Sequence, residues 1–170
     1  AQVNGVPLLE RNIKYLQSYG INDFVINIHH FGGQILAFLA ENDNFGANIE
    51  ISNESDELLE TGGGLLFAKR FLENEKTFLI MNVDILTDLN ITNFINIHEL
   101  KGGMVTLAVS DRDSTRKLMF NDKMYLKGWK NLTTNKKTVV GGIFKLRELA
   151  FSGVHCVNSE IFTKITRTGK

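Results

Sequence analysis

One cysteine in 170 residues excludes an internal disulfide, and no CxxC or Cys/His spacing offers zinc a site. Cys156 therefore points to a reducing compartment. Charge of one sign is missing as well, since 19 Lys and Arg balance 19 Asp and Glu for a net charge of +0. Without a global field, neither nucleic acid nor an anionic membrane is an expected partner, although a local anion pocket stays open. No stretch approaches the roughly 18 consecutive apolar residues of a membrane span. The opening "AQVNGVPLLE" has neither the basic region nor the apolar run of a signal peptide. The expected setting is cytoplasmic. What the chain does have is 43% hydrophobic residues, enough to bury the core of one domain over residues 1–170. No repeat, low-complexity tract or linker divides it.

Periodicity supplies the order of elements. Pro7, the single proline, opens a segment with Leu9, Ile13 and Leu16 at helical spacing that Gly20 closes, and "DFVINI" follows as a β-branched strand. "GGQILAFLAEN" is helical, "ANIEIS" alternates like a half-buried strand, and "GGLLFAKRFL" returns to helix. "KTFLIMNVD" reads as a buried strand, residues 91–100 as a helix, and "GMVTLAVS" as a strand. Shorter strands are expected at "KLMFN" and "MYLKGW", then a strand at "LAFSGVHCV" and a helix at "NSEIFTKI". This alternation predicts an α/β fold with helices on both faces of a mixed, mostly parallel sheet, parallel above all in the first half. A doubly wound sheet begins on a strand, yet this chain opens on a helix. Either its first strand lies upstream of Ala1 or the fold starts with a helix.

Ligands of open α/β sheets collect beyond the carboxyl ends of the strands. Three predicted strands end there in polar residues: His29 and His30, Asn53 and Glu54, and Asn82 and Asp84. A carboxylate directly after a buried run needs a partner, and a divalent cation on phosphate oxygens is one choice. Capping of the following turn is the other reading of Asp84. Adjacent strand histidines face opposite ways, so His29 and His30 are read as packing and a helix start, not as a chelating pair. Cys156 beside His155 reads as a core thiol, and Lys69, Arg70 and the "NKK" of 135–137 as solvated faces and a loop. In "ETGGG", Thr61 serves as a helix N-cap and the glycines behind it leave backbone N–H groups uncovered for an oxygen of a ligand. The competing reading is close packing of helix on sheet.

Four blocks in order, "NGVPLLERNIKYL", "LLETGGGLLFA", "FLIMNVDILTD" and "FSGVHCVNSEIF", make the chain resemble the sugar-1-phosphate nucleotidyltransferases over nearly its whole length. The "LLETGGG" form is most similar to the N-acetylmuramate α-1-phosphate uridylyltransferases and to mannose-1-phosphate guanylyltransferase-like proteins. The resemblance implies a Rossmann-like nucleotidyltransferase fold. It also implies attack of a sugar 1-phosphate on the α-phosphorus of a nucleoside triphosphate, with Mg²⁺, to give an NDP-sugar and pyrophosphate. By it, Asp84 matches the catalytic metal-binding aspartate and Asn82 lies beside the phosphates. Asn53 contacts the base, Glu60, Thr61, Gly62 and Gly63 close over it, and Ser152 and Gly153 line the sugar pocket. The family's phosphate loop, with its Arg and Lys, falls before "VNGVPLL", and its second metal aspartate beyond Lys170. On this reading the chain is incomplete at both ends and inactive alone. Lys117 stands where relatives carry a sugar-contacting glycine, and no "EKP"-type sugar motif is present. A non-catalytic nucleotide-sugar-binding homologue is the alternative of another class. Nothing in the sequence fixes an oligomeric state.

Overall fold

The computed structural model describes residues 1–54, 61–142 and 145–165. Contacts divide the chain into two compact units: Ala1–Leu79, Val83–Val105 and Cys156–Lys170 form the first, Ile80–Asn82 and Thr106–His155 the second.

The first unit opens on a hairpin, β1 (Gln2–Val3) and β2 (Val6–Pro7), paired Gln2 to Pro7 and Val3 to Val6. This corrects the reading that the chain begins with a helix. Asn4 and Gly5 both have positive φ, 50° and 77°, the turn that an Asn-Gly pair favours. Strands of two residues carry no periodicity that a sequence could display. Helix α1 (Leu8–Gln17) follows and buries Leu8, Ile13 and Leu16 along one stripe. β3 (Asp23–Ile28) and β4 (Asn48–Asn53) pair in parallel, Asp23 with Asn48 through Ile28 with Asn53, with α2 (Gly32–Glu41) between them. The segment after β4 forms two short helices, α3 (Thr61–Phe67) and α4 (Lys69–Leu72), interrupted at the buried Ala68. α5 (Ile91–Lys101) starts at Asn90, whose side chain accepts from the Asn93 N–H, and stops at Gly102 in the left-handed conformation.

Asn158 is the polar centre of this unit's core. Its Oδ1 accepts from Thr77 Oγ1 and meets His98 Nε2, each at 2.9 Å, while its Nδ2 donates to Gly103 O at 3.1 Å. His98 is 1% exposed, and burial at that depth is tolerable because the imidazole is hydrogen-bonded. Phe78 stacks on Phe162, which lies in the 3₁₀ turn Ser159–Thr163 that replaces the helix expected at "NSEIFTKI".

The largest sheet has the order β5-β10-β7-β8-β9, with β6 also on β10. Its strands are β5 (Thr77–Met81), β6 (Val105–Ser110), β7 (Arg116–Phe120), β8 (Leu126–Asn131), β9 (Lys136–Val139) and β10 (Arg147–Asn158). β10, β7, β8 and β9 pair antiparallel, so the parallel pairing expected of the first half resides in β3 and β4. β9 corrects the reading of "NKK" as a loop. Lys136 pairs with Asn131 and Lys137 with Lys130 at the end of the sheet order. Exposed lysines on such a strand deter further pairing and also erase its hydrophobic alternation.

Gly128 in β8 faces Val139 so closely that a Cβ there would clash with the carbonyl oxygen of Thr138 and lie 3.0 Å from Val139 Cα. Both are backbone atoms and cannot rotate away. Gly128→Ala is therefore expected to cost about 1–3 kcal/mol, as overpacking does. Denaturant unfolding of the variant checks it, and an unchanged midpoint would mean that the hairpin can spread at no cost.

Candidate active site

Asp84 follows β5 in an exposed turn, and among the described residues no group is hydrogen-bonded to its carboxylate. The turn-capping alternative thus lacks its defining bond. The segment carrying Asp84 is held by α1. Asn12 lies on the buried stripe of that helix, 8% exposed, and its Nδ2 donates to Val83 O at 3.0 Å. One turn further on, the Tyr15 hydroxyl donates to Leu89 O. Burial, with Tyr19 beside it, pushes the Tyr15 phenol up to about 12, so it remains a donor at any physiological pH. Arg11 fixes the other side of the helix, donating from Nη2 to Val3 O at 2.8 Å. Sequence reasoning did not single out Asn12 or Tyr15. The available signal was Asn12 itself, a polar side chain at a position of α1 that the helical period assigns to the core.

Among the described residues no group of three His, Cys, Asp or Glu side chains could hold a metal ion. One unpartnered carboxylate is nevertheless compatible with Mg²⁺, which keeps waters and commonly takes one or two carboxylates together with substrate phosphates.

The glycines divide by role. A Cβ on Gly64 would lie 2.6 Å from Glu54 Oε1 and 3.1 Å from Asn27 Nδ2, so this glycine lets α3 sit against the ends of β3 and β4. Among the described residues a Cβ on Gly62 would meet nothing within 4 Å. Gly62 is exposed and Gly63 buried. Asn53, the exposed last residue of β4, precedes Glu54, whose N–H donates to Ile28 O at 2.8 Å. Glu60 and the side chain of Thr61 lie outside the described residues.

His29 and His30 precede the start of α2 as expected, but not by way of strand alternation. β3 ends at Ile28, so strand alternation does not apply to them, and their rings lie 4.4 Å apart where Phe31 turns the chain at φ 59°. His29 Nδ1 is 2.6 Å from Glu54 O.

In the second unit, Asn82 N donates to Gly153 O at 2.9 Å, which joins two of the expected site positions directly. Gly153 has φ 83° inside β10, a conformation that glycine adopts without strain. Ser152 Oγ donates to Ser110 Oγ at 3.3 Å, and Lys117 Nζ donates to Arg112 O at 2.6 Å. His155 stacks on Phe151, centroids 4.5 Å apart, and burial holds its imidazole below the ordinary range. Cys156 is fully buried in the first unit, and burial pushes its thiol up to about 11, as befits an unreactive core residue.

The HddC crystal structure from Yersinia pseudotuberculosis, complexed with GMP-PN, shares this fold, with a TM-score of 0.77 at 16% identity, covering 98% of this chain and 69% of that one. Residues 2–118 match the family model described as nucleotidyl transferase, and the chain belongs to that family. The probable glucose-1-phosphate cytidylyltransferase of Bacillus subtilis is 24% identical over 89% of this chain and 66% of its own length. The N-acetylmuramate alpha-1-phosphate uridylyltransferase of Neisseria meningitidis is 37% identical over 53% of this chain and 38% of its own. The chain therefore spans about two thirds or less of the curated relatives it matches. Among the described residues no helix is long and apolar enough to cross a membrane.

Proposed function

We propose that the whole protein is a sugar-1-phosphate nucleotidyltransferase that joins UTP and N-acetylmuramate 1-phosphate. The observation that carries this reading is the exposed Asp84 carboxylate, unpartnered among the described residues and presented on a segment that Asn12 and Tyr15 hold at both ends. An oxygen of the sugar phosphate attacks the α-phosphorus. As that O–P bond forms, the bond from the α-phosphorus to the bridging oxygen breaks, and pyrophosphate leaves with the electron pair. Catalysis of this kind rests on positioning and charge neutralisation. Asp84 would hold Mg²⁺, which when bound offsets negative charge on the phosphates. Asn53 and the backbone of Gly62 and Gly63 take the base, Glu60 and Thr61 close over it, Asn82 lies beside the phosphates, and Ser152 and Gly153 line the sugar. The space at Gly62, open among the described residues, supports the base-binding part of this assignment. The choice of uridine and N-acetylmuramate draws on the "LLETGGG" stretch and on the name of the Neisseria relative.

The test is pyrophosphate release by the whole protein with Mg²⁺, N-acetylmuramate 1-phosphate and each of UTP, CTP and GTP. The highest kcat/KM is expected with UTP. A preference for GTP would make the protein a guanylyltransferase. Tight nucleotide-sugar binding without pyrophosphate from any sugar 1-phosphate would make it a binding homologue.

A further inference from the structure

Between Met81, where β5 ends, and Asn90, which caps α5, the chain runs without helix or strand, and Asp84 sits in this stretch. Among the described residues no hydrogen bond between main-chain groups ties 83–89 to another element. Packing against α1 holds the stretch only loosely. A cavity of about 500 Å³, lined by Val6, Arg11, Asn12, Tyr15, Leu86 and Thr87, opens along the contact, and Leu86 is 60% exposed. What fastens the stretch to α1 is a pair of side-chain bonds, from Asn12 Nδ2 to Val83 O at 3.0 Å and from the Tyr15 hydroxyl to Leu89 O.

The two bonds are not equivalent. Val83 O and Asp84 N belong to one rigid peptide plane, so the bond from Asn12 sets the direction in which the Asp84 backbone, and with it the Cβ, leaves the turn. Asn12 also stands where the core did not need an amide. It lies midway between Leu8 and Leu16 on the buried stripe of α1, 8% exposed, where a leucine would complete the apolar face. Burying an amide costs free energy unless it is hydrogen-bonded. Val83 is 53% exposed, within reach of water that can replace a lost partner. Stability therefore does not require this bond, whereas the direction of Asp84 does.

We propose that Asn12 is a positioning residue for Asp84, aiming its carboxylate, through the Val83–Asp84 peptide, at a divalent cation carried with the substrate phosphates. This deepens the transferase reading, which gives Asp84 its metal, and rests on it. Tyr15 steadies the far end of the stretch and acts more weakly, because Leu89 is well removed from Asp84 along the chain.

Asn12→Leu in the whole protein is expected to keep or raise the melting temperature, since it completes the apolar stripe with a better helix former. The same variant should bind Mn²⁺ about tenfold more weakly, as loss of a group that orients a metal ligand commonly does. The titration is read by water-proton relaxation with saturating UTP and no sugar 1-phosphate. Amide hydrogen exchange at residues 83–89 of the metal-free protein should become faster, which reports the loosened stretch without turnover. Tyr15→Phe should weaken Mn²⁺ binding less than Asn12→Leu. Ile13→Val, at a core position of the same helix that is 2% exposed, should lower stability and leave Mn²⁺ affinity unchanged. If leucine proves too large at position 12, Asn12→Ala carries the test, with affinity referred to the folded fraction. Unchanged Mn²⁺ affinity in the Asn12 variant, beside a loss in Asp84→Asn, overturns the proposal and leaves the transferase reading standing. A weakening that only follows lost stability overturns it as well. Mn²⁺ affinity that does not respond to Asp84→Asn removes the metal from Asp84, and the role of Asn12 with it.

Discussion

Asp84→Asn in the whole protein is expected to lower kcat by about two orders of magnitude or more while the melting temperature stays within a degree or two of wild type. The substitution is isosteric and removes only the charge. Because the carboxylate is exposed and accepts no hydrogen bond among the described residues, folding loses nothing measurable. The transition state loses the carboxylate that would hold the metal against developing phosphate charge, a contribution of several kcal/mol. Thermal unfolding and steady-state kinetics at saturating Mg²⁺ measure the two effects independently. A rate near wild type would show that Asp84 is an ordinary turn residue.

The second large effect separates Gly62 from Gly64. Gly64→Ala places a methyl group 2.6 Å from Glu54 Oε1 and 3.1 Å from Asn27 Nδ2, both side-chain ends that can swing aside, so stability should fall by about 1 kcal/mol at most. For a domain of this size that is a melting shift on the order of 2–4 °C per kcal/mol, and the folded fraction should still bind UTP normally. Gly62→Val meets none of the described residues, and removing glycine from a helix is neutral or mildly stabilising. Its melting temperature should hold while UTP affinity falls about tenfold or more, because the side chain occupies the surface offered to the base. Normal UTP binding by folded Gly62→Val would falsify the base-binding role of this stretch.

These glycines also show where sequence reasoning stopped. Close packing and ligand access were both legible in "ETGGG" as alternatives. The structure assigns packing to Gly64, which meets Glu54 and Asn27, residues 10 and 37 positions away in the chain that no local pattern connects to it. The long elements were readable because burial imposes a period on them, as with Ile13 and Leu16 in α1 or the apolar run of β5, although the core place expected for Leu9 is taken by Leu8. β9 was not readable, since an edge strand written as Lys-Lys-Thr-Val resembles a solvated loop. The hairpin at Asn4 and Gly5 was too short to show a pattern, although its Asn-Gly turn was present in the sequence. For the candidate site, the polar residues at strand ends were visible, Asn53 and Asp84 among them. Their supports were not, because Asn12 reaches Val83 across 71 residues. Such a partnership exists only once the chain has folded.

The hold of α1 on the Asp84 segment has an evolutionary corollary. Asn12 and Tyr15 both grip main-chain carbonyls, those of Val83 and Leu89, and neither bond involves a side chain of the segment they restrain. The fastening is therefore indifferent to the identities of Ile85 and Leu86, whereas Thr87 Oγ1 accepts from the N–H of Leu89 at 3.2 Å. Those two positions can drift among homologues, or be randomised in a library, while the carboxylate keeps its place. The helix, by contrast, must retain an amide at 12 and a phenol at 15. Divergence around this site should thus be lopsided, with variation in the segment that carries the carboxylate and constancy in the helix behind it.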